Sequence, residues 1–404
     1  MSTTQRTRSV DEHVRVVAAL LAATPMISLP LLECAGLALA EPITAATPLP
    51  PFDNSGMDGY AVRSVDIARA TADAPTRLPV TEDIPAGRTD SPPLRPGTAH
   101  RIMTGAPIPP GADAVVPVEL TDGWREHVRI YAPRAPGECV RRAGSDVTAG
   151  EKVLAAGAVL GPAQLGVAAA VGRAELLVHR PVRVLVLSTG SELVAPGTPL
   201  KHGQIYESNS TMLAAAVWEA GGQAQLMRFV PDDVAALEAA LAPRLAGIDL
   251  LVTSGGVSAG VYEVVKAAMT GHGVDFGKVA VQPGGPQGAG RYRGVPVAAL
   301  PGNPVSASVS FEVFVRPALR AAMGLPAHRP RVLARLTEAL ESPAGKRQFR
   351  RGSVDPAAGT VTPVGGPSSH LLGALARSNC LIDIPETSTV LKAGEQVVVL
   401  RTGS

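Results

Sequence analysis

Cysteine is scarce. Cys34, Cys139 and Cys380 are the only three in 404 residues, and they lie far apart with no CxxC pair. An odd, dispersed set excludes a disulfide framework and a cysteine-based zinc site, and it fits a reducing cytoplasm. Aromatic residues are scarce too, at 3%, and the formal net charge is only +2, from 37 Lys and Arg against 35 Asp and Glu. Nucleic-acid binders ordinarily carry a basic face with stacking aromatics, so nucleic acid is not the expected partner. Only six of the 37 basic residues are lysine. The histidines are few and scattered, and no Ser-His-Asp or Cys-His pattern stands out. His202 and His370, the only ones near motif segments, read as structural or solvated.

Long apolar runs are missing as well. The uncharged stretch 153–172 contains Gln164 and is broken by Gly161-Pro162. It therefore reads as a strand or turn followed by a short helix opened by Pro162, not as a membrane span. The N-terminal arginines precede no signal-type apolar core. The stretch Asp11 to Leu21, carrying Asp11, Glu12, His13 and Arg15, predicts an amphipathic helix. Apolar residues make up 46% of the chain, which excludes intrinsic disorder as its main state. The 42 glycines show no three-residue period, which excludes collagen.

The length predicts about two to four domains, and four textures divide the chain. Residues 1–48 look helical, then loop-like, and 141–178 return to that character, so the two are grouped as one discontinuous domain. Residues 49–140, rich in Pro, Thr and Gly with short runs such as Ala114–Val118 and His127–Tyr131, predict an inserted β domain. Residues 179–326 alternate strands with helices. Val182–Leu187, Gln223–Val230, Asp249–Thr253 and Val295–Leu300 are the strands. The helices fall near Thr211–Ala220, Pro231–Ala246, Val264–Met269 and Pro304–Met323. That alternation predicts a doubly wound, mostly parallel sheet. Residues 327–404 return to short strands at Val332–Leu336, Val354–Val364, Cys380–Ile384 and Gln396–Leu400, the pattern of a small barrel or sandwich.

In an open parallel sheet, ligands bind beyond the carboxyl ends of the strands. Three such ends carry distinctive loops: Ser188-Thr189-Gly190-Ser191-Glu192, Ser254-Gly255-Gly256-Val257-Ser258-Ala259-Gly260, and Pro301-Gly302-Asn303-Pro304-Val305-Ser306. Glycine turns let backbone N–H groups approach an anion, and a following helix start adds a favourable dipole. A phosphate-bearing ligand is the natural expectation, although turn chemistry alone also explains such residues. None of the loops matches GxGxxG or GxxxxGK[ST], which disfavours an ordinary dinucleotide or P-loop site. Glu192, Asp232, Asp233 and Glu263 lie near the same edge, and carboxylates beside phosphates ordinarily hold Mg²⁺. For Asp232 and Asp233, helix-start stabilisation is an equal reading.

Three further segments are dense in polar groups: Asp53-Asn54-Ser55-Gly56-Met57-Asp58-Gly59-Tyr60, RIMTGAPIPP from Arg101 to Pro110, and Arg141-Arg142-Ala143-Gly144-Ser145-Asp146. The first two suit ligand-gripping loops. The paired arginines suit a phosphate clamp or an interdomain salt bridge.

Taken in order, PPFDNSGMDGYAVR, RIMTGAPIPPGADAVVPVE, RRAGSDVTAGE, VLSTGSELV, YESNS, TSGGVSAG and ALPGNPVSASVSFEVFVRP resemble the molybdopterin molybdenumtransferase (MoeA) family, which includes the C-terminal domain of gephyrin. The resemblance spans about residues 9–402. It implies a MogA-like sheet domain, an elongated helical and β region, a small β domain and a C-terminal β-barrel. It implies insertion of molybdenum from molybdate into adenylylated molybdopterin, with release of AMP and use of a divalent cation such as Mg²⁺. It also implies a cytoplasmic homodimer whose active site lies between the sheet domain of one subunit and the β domain of the other. Contacts with a molybdopterin adenylyltransferase and with apo-molybdoenzymes are among its implications.

Mapped onto the family pattern, Asp58, Thr104, Asp146 and Glu192 match positions associated with function, taken as catalytic. Ser188, Thr189, Gly190, Ser254, Gly255, Gly256, Ser258, Pro301, Gly302, Asn303, Pro304 and Ser306 are the expected substrate-binding set, and Glu192, Asp232 and Glu263 the expected metal ligands. The chain departs from the pattern in several places. Ser191 replaces the Asp of STGDEL, and Val261 and Glu263 replace the two Asp of GDYD. Gln282 and Gly285 stand where KPGKP has lysines. Lys278, Arg291 and Arg350 are the candidates by position to replace those cations. The same departures define the alternative reading, a catalytically weakened paralogue that binds molybdopterin or acts as a scaffold.

Overall fold

The protein is described here by a computed structural model covering residues 7–230, 233–257 and 264–402. The chain forms two compact units. One is Met1–Ser28, Gly36–Ala40 and Leu177–Ser404; the other is Leu29–Ala35 and Glu41–Leu176. Among the described residues, no helix is long and apolar enough to cross a membrane.

Helix α1 (Val10–Ala18) is fixed by its first turn. The Ser9 hydroxyl accepts from the Glu12 N–H, and the Glu12 carboxylate accepts from the Ser9 N–H. This reciprocal cap satisfies two otherwise unpaired donors. Val10, His13 and Val17, three and four residues apart, form its buried face.

The second unit is built on a sheet of β1 (Gly59–Val62), β2 (Thr76–Ile84), β3 (Ala99–Ile102), β4 (Ala114–Pro117) and β5 (His127–Ile130), in the order β4-β1-β3-β2-β5. β1 lies between two neighbours and is wholly buried. A Cβ on Gly59 would fall 1.9 Å from the Val116 carbonyl oxygen, so only glycine lets β1 run this close to β4. Helix α2 (Pro162–Ala170) has Pro at its start, where the missing N–H costs nothing.

In the first unit, β6 (Arg183–Thr189), α3 (Asn209–Glu219), β7 (Gln223–Val230), α4 (Val234–Leu241), β8 (Leu250–Ser254), α5 (Val264–Met269), β9 (Val274–Lys278), the short β10 (Val281–Gln282), β11 (Pro286–Tyr292) and β12 (Val295–Leu300) follow in order. The sheet order is β7-β6-β8-β12-β11-β9. β7, β6, β8 and β12 pair in parallel; β11 is antiparallel to both its neighbours. Side chains alternate between faces with period two. Leu185 and Leu187 therefore join one core with α4 and α5, while Val184 and Val186 join another with α3. That double burial is what makes these strands continuously apolar. β11 escapes the apolar pattern because it packs closely on β9: in PQGAGRY a Cβ on Gly288 would fall 2.6 Å from the Phe276 ring and one on Gly290 2.1 Å from the Gly273 carbonyl oxygen.

The expected helix from about Pro304 to Met323 is present and unbroken through Ala322, with a widened π turn at its centre. α6 (Pro304–Ser310) passes into a wide turn over Phe311–Val315 before α7 (Arg316–Ala322), and Pro317 sits in the first turn of α7. Proline cannot supply an interior helical N–H, and the widened turn that accommodates this lies just before it. Helix α4 begins at Val234, with the Asp233 side chain accepting from the Ala236 N–H at 2.7 Å.

The C-terminal strands are β13 (Arg331–Leu336), β14 (Arg347–Asp355), β15 (Thr360–Pro363), β16 (Cys380–Ile384) and β17 (Gln396–Arg401). They pair β14-β15-β13-β17-β16, and β16 returns to β14, closing a five-stranded barrel. The expected single strand Val354–Val364 is two strands. Asp355 Oδ1 accepts from the Ala357 and Ala358 N–H groups and turns the chain. The strand Arg347–Ser353 was hidden by its arginines, two of which, Arg350 and Arg351, are buried. β10 pairs in parallel with β14, and Val10, Val17, Val281, Val305, Phe314, Phe349 and Leu381 share one core. Within this unit, sheet, helices and barrel are thus one packed body.

Candidate functional site

β6, β8 and β12 end at the same edge, and the loops leaving them line one cleft of about 1670 Å³. Ser188, Thr189, Gly190, Glu192, Ser254, Gly255, Gly256, Pro301, Gly302, Asn303, Pro304 and Ser306 all border it. Ser258, Asp232 and Glu263 lie outside the described residues. The cleft exceeds the usual range for a drug-sized ligand, about 300–1,000 Å³.

The loops are close-packed backbone to backbone. A Cβ on Gly302 would lie 3.3 Å from the Gly255 Cα, and Gly255 itself holds a φ of +95°, where a side chain strains the backbone. Asn209, at the start of α3, ties two of them together. Its Nδ2 donates to Ser254 Oγ at 2.9 Å and to the Gly302 carbonyl at 2.6 Å. Glu207, 1% exposed, holds that helix start. It accepts from the Ser210 N–H at 2.7 Å and the Ser210 hydroxyl at 2.5 Å, and Arg228 faces it at 3.5 Å. Neither residue had been singled out beyond the YESNS motif. The available signal was an acid three residues before a Ser at a helix start, a capping spacing.

The facing wall comes from 278–286 and from the barrel loops 344–346 and 367–370. The Val305 N–H donates to the Ser369 carbonyl at 3.0 Å, which pins one barrel loop to α6. Lys278 and Lys346 are the only Lys or Arg among the described lining residues, and both are exposed. Of the three expected replacement cations, only Lys278 is there. Arg291 turns away to the Leu20 and Gly294 carbonyls. Arg350 lies buried and donates to the Gly365 carbonyl at 3.2 Å. Lys346 reaches the cleft only because the barrel loop 344–346 forms part of its wall, which the sequence does not show. His370, exposed as expected of a solvated histidine, also borders the cleft.

The acids divide by role. Asp233 caps α4. Glu207 is committed to Ser210 and Arg228. Glu192 is exposed in the cleft, its carboxylate folded over Gly190. No cluster of three or more His, Cys, Asp or Glu occurs among the described residues. One available carboxylate on the cleft, Glu192, still fits Mg²⁺, which takes one or two carboxylates and completes its shell with water and substrate phosphates.

In the second unit, Asp58 and Thr104 are brought together. The Thr104 N–H and hydroxyl each donate to Asp58 Oδ1 at 2.7 Å. The hydroxyl bond, then the backbone bond, hold the Asp58 carboxyl below the usual carboxylate range. Asp146 is exposed and hydrogen-bonds neither of them. Arg142 is engaged by Asp53 at 2.5 Å, and the Ala143 N–H donates to the same carboxylate at 2.8 Å. The backbone bond and then Arg142 lower the Asp53 carboxyl. Arg142 therefore secures a loop within its own unit; it is not a free phosphate clamp.

Fold and site define a class: a doubly wound α/β enzyme scaffold, walled by a β-barrel, whose strand-end cleft suits a large anionic ligand. Residues 8–172 match the family described as MoeA N-terminal region (domain I and II), 185–321 the probable molybdopterin binding domain, and 333–401 the MoeA C-terminal region (domain IV). The chain is 56% identical over 400 residues to molybdopterin molybdenumtransferase 2 of Mycobacterium tuberculosis, covering 97% of this chain and 99% of that protein. It is 36% identical over 374 residues to the molybdopterin molybdenumtransferase of Haemophilus influenzae, covering 91% of each. A crystal structure of a molybdopterin biosynthesis MoeA protein from Pyrococcus horikosii superposes with a TM-score of 0.83 at 32% identity, covering 99% of this chain and all of that one. The chain belongs to the MoeA family of molybdopterin molybdenumtransferases.

Proposed function

We propose that this chain inserts molybdenum from molybdate into adenylylated molybdopterin and releases AMP. The observation that carries the reading is the cleft itself: three glycine- and serine-rich loops at one sheet edge, facing a barrel wall with two exposed lysines. The loops leaving β6, β8 and β12 hold the pterin and its phosphates through backbone donors and the Ser and Thr hydroxyls. Asn209 keeps two of those loops at fixed spacing. Glu192 is the described residue that would hold Mg²⁺, with Asp232 and Glu263 as further candidates; the ion when bound polarises the pyrophosphate. Asp58 stays ionised at neutral pH, so it serves as a hydrogen-bond acceptor that orients the Thr104 hydroxyl or a ligand N–H, not as a proton donor. Asp146 is proposed with it as a catalytic residue. The four-part domain division, the homodimer, the cytoplasmic location and contacts with an adenylyltransferase and apo-molybdoenzymes complete the reading.

A weakened, binding-only paralogue is not favoured, given 56% identity across 99% of a protein named as the transferase. The test is AMP release from adenylylated molybdopterin by the purified chain with Mg²⁺. Release that requires molybdate supports the transferase. Pterin binding without release refutes it.

A further inference from the structure

We propose that Lys278 and Lys346 form the cation pair that holds the oxyanion substrate in this chain, each standing beside a position where the segment Gln282-Pro283-Gly284-Gly285-Pro286 lacks a lysine. The proposal rests on the transferase reading, and deepens it by naming the groups that grip molybdate.

The first argument is what the segment no longer offers. Gln282 is neutral, and its side-chain oxygen accepts from Gln348 Nε2 at 2.6 Å, so it is engaged with the barrel. Gly285 has no side chain at all. A doubly charged tetrahedral oxyanion in this cleft needs compensating positive charge, because an unpaired anion loses its hydration without return.

The second argument is register. β9 and β11 pair Lys278 with Pro286, and the Val279 N–H donates to the Gly285 carbonyl at 2.7 Å. Lys278 therefore sits beside the empty position at Gly285. β10 and β14 pair Val281 with Arg347 and Gln282 with Gln348, and the Arg347 N–H donates to the Ala280 carbonyl at 2.9 Å. Lys346, one residue before that ladder, sits beside the turn into Gln282. Each missing charge thus has a lysine close by: Lys278 on the adjoining strand, and Lys346 in the loop one residue before β14.

The third argument is availability. Both side chains border the cleft, both are exposed, and neither makes an ion pair with a described residue. An ammonium is a compact point charge with three donors, suited to a tetrahedral oxyanion that presents no planar fork.

The experiment compares the full-length chain with Lys278→Gln, Lys346→Gln and, as a surface control, Lys392→Gln. Two quantities are read: the molybdate KM of AMP release, and molybdate retained in equilibrium dialysis without pterin. Losing one charged hydrogen-bonding partner is expected to raise the KM and weaken retention about tenfold for each of the two variants. The kcat, the affinity for adenylylated pterin and the control stay unchanged. Gln282→Lys in the Lys346→Gln background and Gly285→Lys in the Lys278→Gln background should restore molybdate affinity. The second rescue is sterically open, since a Cβ on Gly285 meets nothing closer than 3.5 Å. Unchanged molybdate KM in an active protein overturns the pair, and so does an equal loss of pterin affinity. A wild-type chain that neither releases AMP nor retains molybdate overturns the transferase reading itself.

Discussion

Asn209 is the residue on which the shape of the cleft turns. One side-chain amide holds the Ser254 hydroxyl and the Gly302 carbonyl, joining loops that leave two neighbouring strands. Asn209→Ala removes both bonds and leaves a carbonyl without its partner. A single such loss is worth about 1–3 kcal/mol. The expected result is a rise of roughly tenfold in the KM for adenylylated pterin and a melting temperature lowered by a few degrees, read by AMP-release kinetics and thermal unfolding. The strand-end loops were visible in the sequence, because apolar runs such as VRVLVL and VPVAAL end abruptly in glycine and serine. Asn209 and Lys346 were not: the partners of Asn209 lie 45 and 93 residues on, and Lys346 borders the cleft only through the folded barrel loop 344–346. Arg350 shows the opposite failure: offered as a replacement cation, it is folded into the barrel and donates to the Gly365 carbonyl.

At the scale of elements, α1 carries a buried titratable group. His13 is 2% exposed and meets the Phe314 ring edge-on at 4.7 Å. Burial, and next the nearby Arg8 charge, lower its pKa to about 4. The unfolded chain takes up this proton near pH 6.5 and the folded one only near pH 4, so between those values the unfolded state binds more protons. Stability is therefore full above pH 6.5 and falls as pH drops towards 4. The loss is about 2 kcal/mol by pH 5 and about 3 kcal/mol by pH 4. His13→Leu should abolish most of that slope, which denaturant titrations at pH 7.5 and 5 would measure. An unchanged slope would mean that another group sets the acid limit. Most elements were legible because double burial writes itself as continuous apolar strands. β11 and β14 were not. The first is rich in glycine, and the second hides its alternation behind arginines that bury their stems.

For the whole molecule, the net charge of +2 means that no strong overall field draws the anionic substrates in. Attraction must come from local cations in a cleft open to solvent. Such charges are screened by salt: the Debye length falls from about 10 Å at 0.1 M to about 3 Å at 1 M. The molybdate KM should therefore rise severalfold over that range while kcat holds, measured at constant Mg²⁺. A KM indifferent to salt would place the binding charges in a screened interior.

The closed barrel has one further consequence. Each of its five strands finds partners on both sides, the seam between β13 and β15 being the shortest, so the ring has no free edge strand. An open sheet of the same residues would be a template on which a second chain lays down its own strand. Ring closure removes that template, so crowding alone gives the barrel no route to templated self-association.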